Sequence, residues 1–173
     1  HGGVTPANII SVSSARVVLT DFGMCHLRGT PKIKWGGSVG YAAPETLQDG
    51  AALCSPRGDV FALGALVYEC LTGQRMFTST SVAAFVASVQ NPPRLGAVLP
   101  RYEHLDAVLE MACAPQPDDR FATAAALWRA LQASLLDGNE EGSSTSSGGE
   151  AAASEAAAPA ASAAQETQPA PVV

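Results

Sequence analysis

Three short runs decide how this sequence is read: His1-Gly-Gly-Val-Thr-Pro-Ala-Asn8, Asp21-Phe22-Gly23 and Gly37-Ser-Val-Gly-Tyr-Ala-Ala-Pro-Glu45. Between the first two, residues 17–20 (Val-Val-Leu-Thr) form a β-rich run that ends at Asp21 and reads as a buried strand. Ile9 and Ile10 offer it a partner strand, with Ser13 and Ser14 in the turn. Residues 23–40 are rich in Gly, Lys and small polar types without a period, and a loop of that length in a compact domain tends to carry function.

Downstream, Ser55-Pro56 is a helix-start signal, a capping hydroxyl followed by proline at the first helical position. The helix it opens is expected to run to about Thr72 and stop at Gly73. Val60, Phe61, Leu63, Leu66, Val67 and Leu71 make it apolar nearly all round, so it is expected to be the buried axis of the domain. Shorter helices are expected near 81–90 and 105–113. A last one, capped by Thr123, passes through Leu127, Trp128 and Leu131 to about Leu135. Pro92, Pro93, Pro115 and Pro117 mark loops. The pattern is α+β, mostly α-helical, with one small strand pair at its N-terminal edge.

Taken in order, the three runs resemble the protein kinase family. Residues 1–8 resemble its catalytic loop, H-R-D-x-K-x-x-N; residues 21–23 its metal-binding D-F-G; residues 37–45 the substrate-facing loop that ends in A-P-E. Asp59, early in the central helix, matches the aspartate that anchors the catalytic loop from below, and Arg120 in Asp-Asp-Arg-Phe matches the arginine that pairs with the A-P-E glutamate. A lone D-F-G would carry little weight, but these features stand in family order across residues 1–120. The form Gly-Tyr-Ala-Ala-Pro-Glu favours the Ser/Thr branch, and the Pro-Ala-Asn run and alanine-rich tail look bacterial.

The resemblance implies a protein kinase-like fold of which residues 1–136 are the C-terminal lobe only. No glycine-rich loop, strand lysine or helix glutamate of an N-terminal lobe appears, and the chain begins inside a motif, so it reads as a fragment, expected to be inactive alone. The resemblance also implies Mg2+ and ATP as cofactors, with Asn8 and Asp21 as hard oxygen ligands for the metal that bridges the phosphates. Read by themselves, these two are an Asn in a turn and an Asp ending a strand. His1 and Phe22 are expected to stack in the core beneath the site, tied to the central helix through Asp59. Glu45 and Arg120 are expected to form a buried ion pair. Ser38 stands where the family steadies its catalytic loop, or is an ordinary loop serine, and Thr30 is a solvated loop threonine or a phosphorylation site.

The pattern fails at the chemistry. The catalytic aspartate position is Gly3, the lysine two residues on is Thr5, and the arginine before the aspartate is Gly2. Losing a general base typically costs about 10²–10⁴ in rate, and losing a transition-state cation about another 10²–10³. If the two add, that is roughly 5–9 kcal/mol of barrier. Three functions therefore stand open. The first is a pseudokinase that binds Mg-ATP weakly or acts as a scaffold in its intact parent. The others are a working Ser/Thr kinase with an unorthodox loop, and a structural remnant that binds no nucleotide.

Charge and composition narrow the partners. Six of the sixteen acids and none of the ten bases lie beyond residue 136, so the formal charge of −6 resides in the tail and residues 1–136 are balanced. A balanced domain argues against a nucleic-acid surface and leaves a protein substrate or partner, together with the missing N-terminal lobe. Residues 137–173, acidic and rich in Ala, Ser, Gly and Pro with no aromatic residue, are expected to be disordered. The longest apolar stretch, residues 60–71, is 12 long and contains Glu69, too short for a membrane span. Cys25, Cys54, Cys70 and Cys113 are scattered without metal-ligand spacing, and with no visible signal peptide they read as reduced thiols of a cytoplasmic protein.

Overall fold

The computed structural model describes residues 1–14, 16–22, 39–48, 55–79 and 81–143. The molecule is mostly helical, with one two-stranded antiparallel sheet, β1 (Ile9–Ser13) and β2 (Arg16–Leu19). Its helices are α1 (Pro44–Gln48), α2 (Pro56–Thr72), α3 (Val82–Gln90), α4 (Leu95–Val98), α5 (Asp106–Ala112) and α6 (Ala124–Ser143).

The axis is α2. Ser55, extended at φ −134°, accepts the Gly58 N–H on its hydroxyl at 2.9 Å, and Pro56 opens the first turn. Gly73 closes the helix at φ +70°, a left-handed conformation that glycine adopts without a Cβ penalty, and returns its N–H to the Glu69 carbonyl at 2.8 Å. Val60, Phe61, Ala62, Gly64, Ala65 and Tyr68 of this one helix are buried. On one side Phe61 meets Phe77 (5.6 Å, stacked) and Phe85 of α3 (6.2 Å, edge-on). On another, α5 comes so near that a Cβ on Gly64 would stand 2.8 Å from both Ala112 Cβ and Cys113 Sγ. Complete burial pushes the Cys113 thiol up to about 12, which leaves it a packing group without nucleophilic character.

Two sequence expectations need correcting. The strand at residues 17–20 is only half-buried: Leu19 packs against the core, but Val17 is 64% exposed, and Ile10 (52%) and Val12 (56%) of β1 are exposed as well. A two-stranded sheet has two faces, and the described residues cover neither fully. Nor does the last helix end near Leu135. Capped by Thr123 Oγ1, which accepts from Ala126 N at 3.1 Å, α6 continues to Ser143. The physical reason is a docking contact at Gly138, described below.

Candidate functional site

The site is built on the N-terminal turn of α2. Asp59 accepts the backbone nitrogen of His1, here the amino terminus, at 2.7 Å and the N–H of Gly2 at 2.9 Å. A carboxylate in a first helical turn is stabilised by the helix dipole, so Asp59 is a charged anchor that holds the start of the catalytic loop by its main chain. Gly2 takes φ +75°, where a side chain at this position would be strained. The His1 ring is held from two sides: Nε2 donates to the Thr20 carbonyl at 2.8 Å, and Phe22 packs with its centroid 4.4 Å away. The pair does not lie in the core, however, because Phe22 is 67% exposed. No other described element lies over its outer side.

Asn8 stitches the loop to β2. Its Nδ2 donates to the Gly3 carbonyl at 2.7 Å, and its own carbonyl accepts the Thr20 N–H at 2.9 Å. Asp21, the next residue, is exposed and stands at φ +61°, the only non-glycine residue in the left-handed region among those described. Asp tolerates that region better than most side chains, at a cost the surroundings must cover. Asn8 and Asp21 are thus carried to the same end of the strand pair. With Nδ2 committed to Gly3, the amide oxygen of Asn8 remains as an acceptor.

That donor set fits half of a magnesium site. Two hard oxygens, one carboxylate and one amide, suit Mg2+ only with water and phosphate oxygens completing the octahedron. The described residues contain no cluster of three His, Cys, Asp or Glu that would hold an ion unaided.

A Cβ on Gly3 would find only ordinary contacts among the described residues, 3.7 Å to Asn8 Nδ2 and 3.9 Å to His1 Nδ1. Thr5, where a cation would project, is buried at 9% exposure beside Val4 at 4%.

Glu45 and Arg120 stand apart from this loop. The guanidinium is bidentate to the carboxylate, 2.8 Å on each branch, and its side chain has no accessible surface. Its remaining N–H groups reach the carbonyls of Ala114 (2.7 Å), Pro115 (3.0 Å) and Arg57 (3.2 Å), while its Cζ lies 5.1 Å from the centre of the Phe61 ring. Every donor of this buried cation is satisfied, the condition under which such a pair does not destabilise the fold. Two supporting contacts escaped sequence reasoning. Arg57 donates to the carbonyls of Pro117 and Arg120 (2.7 and 3.1 Å), closing the loop around the pair. Tyr41 donates its hydroxyl to the Glu69 carboxylate. Burial first, then that bond, pushes the Tyr41 phenol up to about 12, against a smaller opposing pull from Arg75. A main-chain carbonyl leaves no mark in a sequence, so the Arg57 contacts had no signal there. Ser38, Gly23 and Thr30 lie outside the described residues.

Residues 1–127 match the Protein kinase domain family. The chain belongs to it. It is similar to the serine/threonine-protein kinase PknL of Mycobacterium tuberculosis, at 36% identity over 143 residues, covering 77% of this chain and 35% of PknL. It resembles PknE of the same species at 31% identity over 147 residues, 82% of this chain and 26% of PknE. Among solved structures, a double mutant of the Mycobacterium tuberculosis PknI kinase domain superposes with a TM-score of 0.54 at 27% identity, covering 80% of this chain and 45% of that one. The fold is therefore kinase-like, mostly helical with a two-stranded sheet, and the chain spans about a third or less of the curated relatives it matches. No helix among the described residues is long and apolar enough to cross a membrane.

Proposed function

We propose that this chain is the C-terminal lobe of a pseudokinase, which in its intact parent holds Mg-ATP weakly through Asn8 and Asp21 or acts as a scaffold for a protein partner. The observation that carries the reading is the contrast inside one loop. Asp59 holds the main chain of residues 1 and 2 and Asn8 holds the Gly3 carbonyl, yet Gly3 presents no base and Thr5 points into the body. Mg-ATP, when bound, supplies the transferable phosphoryl group and the charge that two oxygen ligands partly balance. The chain's own part is to orient: Asn8 and Asp21 for the metal, and the Glu45–Arg120 pair for the end of the substrate-facing segment. Nothing at position 3 takes a proton from a hydroxyl.

The test uses the intact parent. Mg-ATP is expected to raise its melting temperature, Asp21→Ala to abolish that rise, and labelled γ-phosphate to stay on ATP in both. Transfer that disappears in Asp21→Ala would instead make the parent a working Ser/Thr kinase with a base from elsewhere. A melting temperature indifferent to Mg-ATP would leave a structural remnant.

A further inference from the structure

The 3-10 segment Pro100–Leu105 is gripped between two helices, and each grip is a glycine. On the α4 side, a Cβ at Gly96 would stand 2.7 Å from Glu103 Cβ, and the close approach is locked by a hydrogen bond from Gly96 N to Asp106 Oδ1 at 3.0 Å. On the α6 side, a Cβ at Gly138 would stand 2.5 Å from Cε1 and Nδ1 of His104. Ser134, one turn earlier, donates its hydroxyl to the His104 carbonyl at 2.7 Å. The second grip carries a defect the first does not. His104 Nε2 is buried without a hydrogen-bond partner among the described residues. A polar atom removed from water and left unbonded costs free energy, and the ring that carries it is the one Gly138 lies against.

We infer that the last turns of α6 are a releasable strap, seated on the His104 ring through Gly138 in the docked state and lifted off it in a second state where water reaches Nε2. The hinge is Ser134, whose bond to the His104 carbonyl holds the helix upstream of the strap. Asp137-Gly138-Asn139 supplies the local weakness, since none of the three favours a helix interior and tertiary docking has to hold them there. Leu105, next to His104 and 1% exposed, roots the other side in the core, so release moves the strap and leaves the segment beneath it in place. The consequence is a movable exit point. Docked, the helix is held to the body as far as Gly138; released, it is held only as far as Ser134.

Hydrogen exchange of the full 173-residue chain tests this through the sign of one substitution. An ordinary Gly→Ala change inside a helix slows local opening by roughly fivefold, because alanine is the better helix former. At Gly138 the new methyl collides with the imidazole, so Gly138→Ala is expected to speed exchange of amides 138–143 by about tenfold or more, with α2 unchanged. His104→Ala combined with Gly138→Ala removes the collision, and protection is expected to return to or exceed that of the parent sequence. Slower exchange in Gly138→Ala alone, or no change, would overturn the strap. So would a double variant that stays unprotected, and so would a Gly138→Ala chain that unfolds globally without the double variant restoring it.

Discussion

The Glu45–Arg120 anchor and the catalytic loop lie on either side of the N-terminal end of α2, and they have met opposite fates. Around Arg120 each donor has an acceptor and the side chain sees no solvent. Around Gly3 the main chain is held as firmly, by Asp59 and Asn8, yet the side chains that would act are missing or turned inward. The difference separates two kinds of constraint that a single kinase motif set contains. A buried cation cannot lose its partner without stranding a charge, whereas a projecting base can be deleted with little effect on packing. The first constraint is tied to the fold, and the second is not.

The largest expected effect breaks the anchor. Arg120→Ala leaves Glu45 and the loop carbonyls of Ala114 and Pro115 without these donors, and Glu45→Ala leaves a buried guanidinium; each is expected to cost about 3–5 kcal/mol of unfolding free energy in denaturant titration. The double variant is expected to cost much less than the sum, because both changes break one pair. Additive costs would mean that the bidentate contact carries no coupling. Arg120→Lys is no remedy, since an ammonium offers three donors from one point where five are spread over a plane.

The next variant probes the other side. Gly3→Asp is expected to leave stability within about 0.5 kcal/mol, since the new Cβ meets only ordinary contacts. In the intact parent it is expected to raise phosphoryl transfer by about 10²-fold or more, the lower range for a positioned general base. Gly3→Asp that melts several degrees lower would show the loop to be packed after all, and the contrast between the two regions would fail. Thr5→Lys is the matched control. Its side chain starts from a buried position, so it is expected to destabilise where Gly3→Asp does not.

How much of this was legible beforehand follows from the kind of signal each feature leaves. The central helix could be read from Ser55-Pro56 at one end and Gly73 at the other because caps are side-chain chemistry. Gly3 and Thr5 could be read as departures from the family pattern because the residues around them still spell the loop. Exposure could not be read: Phe22 and Val17 have core-type side chains, and whether a core-type side chain is covered depends on elements distant in sequence. The same holds for α6. Asp137-Gly138-Asn139 reads locally as an end, and only the close approach of His104 to Gly138 explains why the helix goes on. The carbonyl cage of Arg120 was invisible for the reason given above, its acceptors being main chain.

A smaller effect tests the joint that both regions share. Ser55→Ala removes the cap of the turn that presents Asp59 and is expected to cost about 1 kcal/mol, with Ser55→Gly costing only a few tenths. If the catalytic loop depends on that turn, protection of the Gly2 amide, which is bonded to Asp59, should fall in parallel with global stability.

The smallest expected effect asks whether the anchored side reaches as far as Tyr41, four residues before Glu45. Folded, the phenol is pushed up to about 12 from 10.0 by burial and by its bond to Glu69, so the folded chain holds this proton where the unfolded chain has released it. Its contribution is therefore fully present below about pH 10 and is lost as pH rises toward about 12. Buried Cys113, also at about 12 and starting from 9.0, adds a slope of the same sign that begins lower. Partial solvent screening around Tyr41 keeps its share on the order of 1 kcal/mol. Tyr41→Phe is expected to cost some stability at neutral pH by leaving Glu69 without its donor. The informative quantity is instead the fall in stability between pH 10 and 12, which should be shallower than in the parent and retain the shares of the Cys113 thiol and of the Tyr68 phenol, which burial and then Asp106 also push up. An unchanged slope would mean that the Tyr41 hydroxyl is solvated in the folded state, and the tightly bonded region would then end at Glu45.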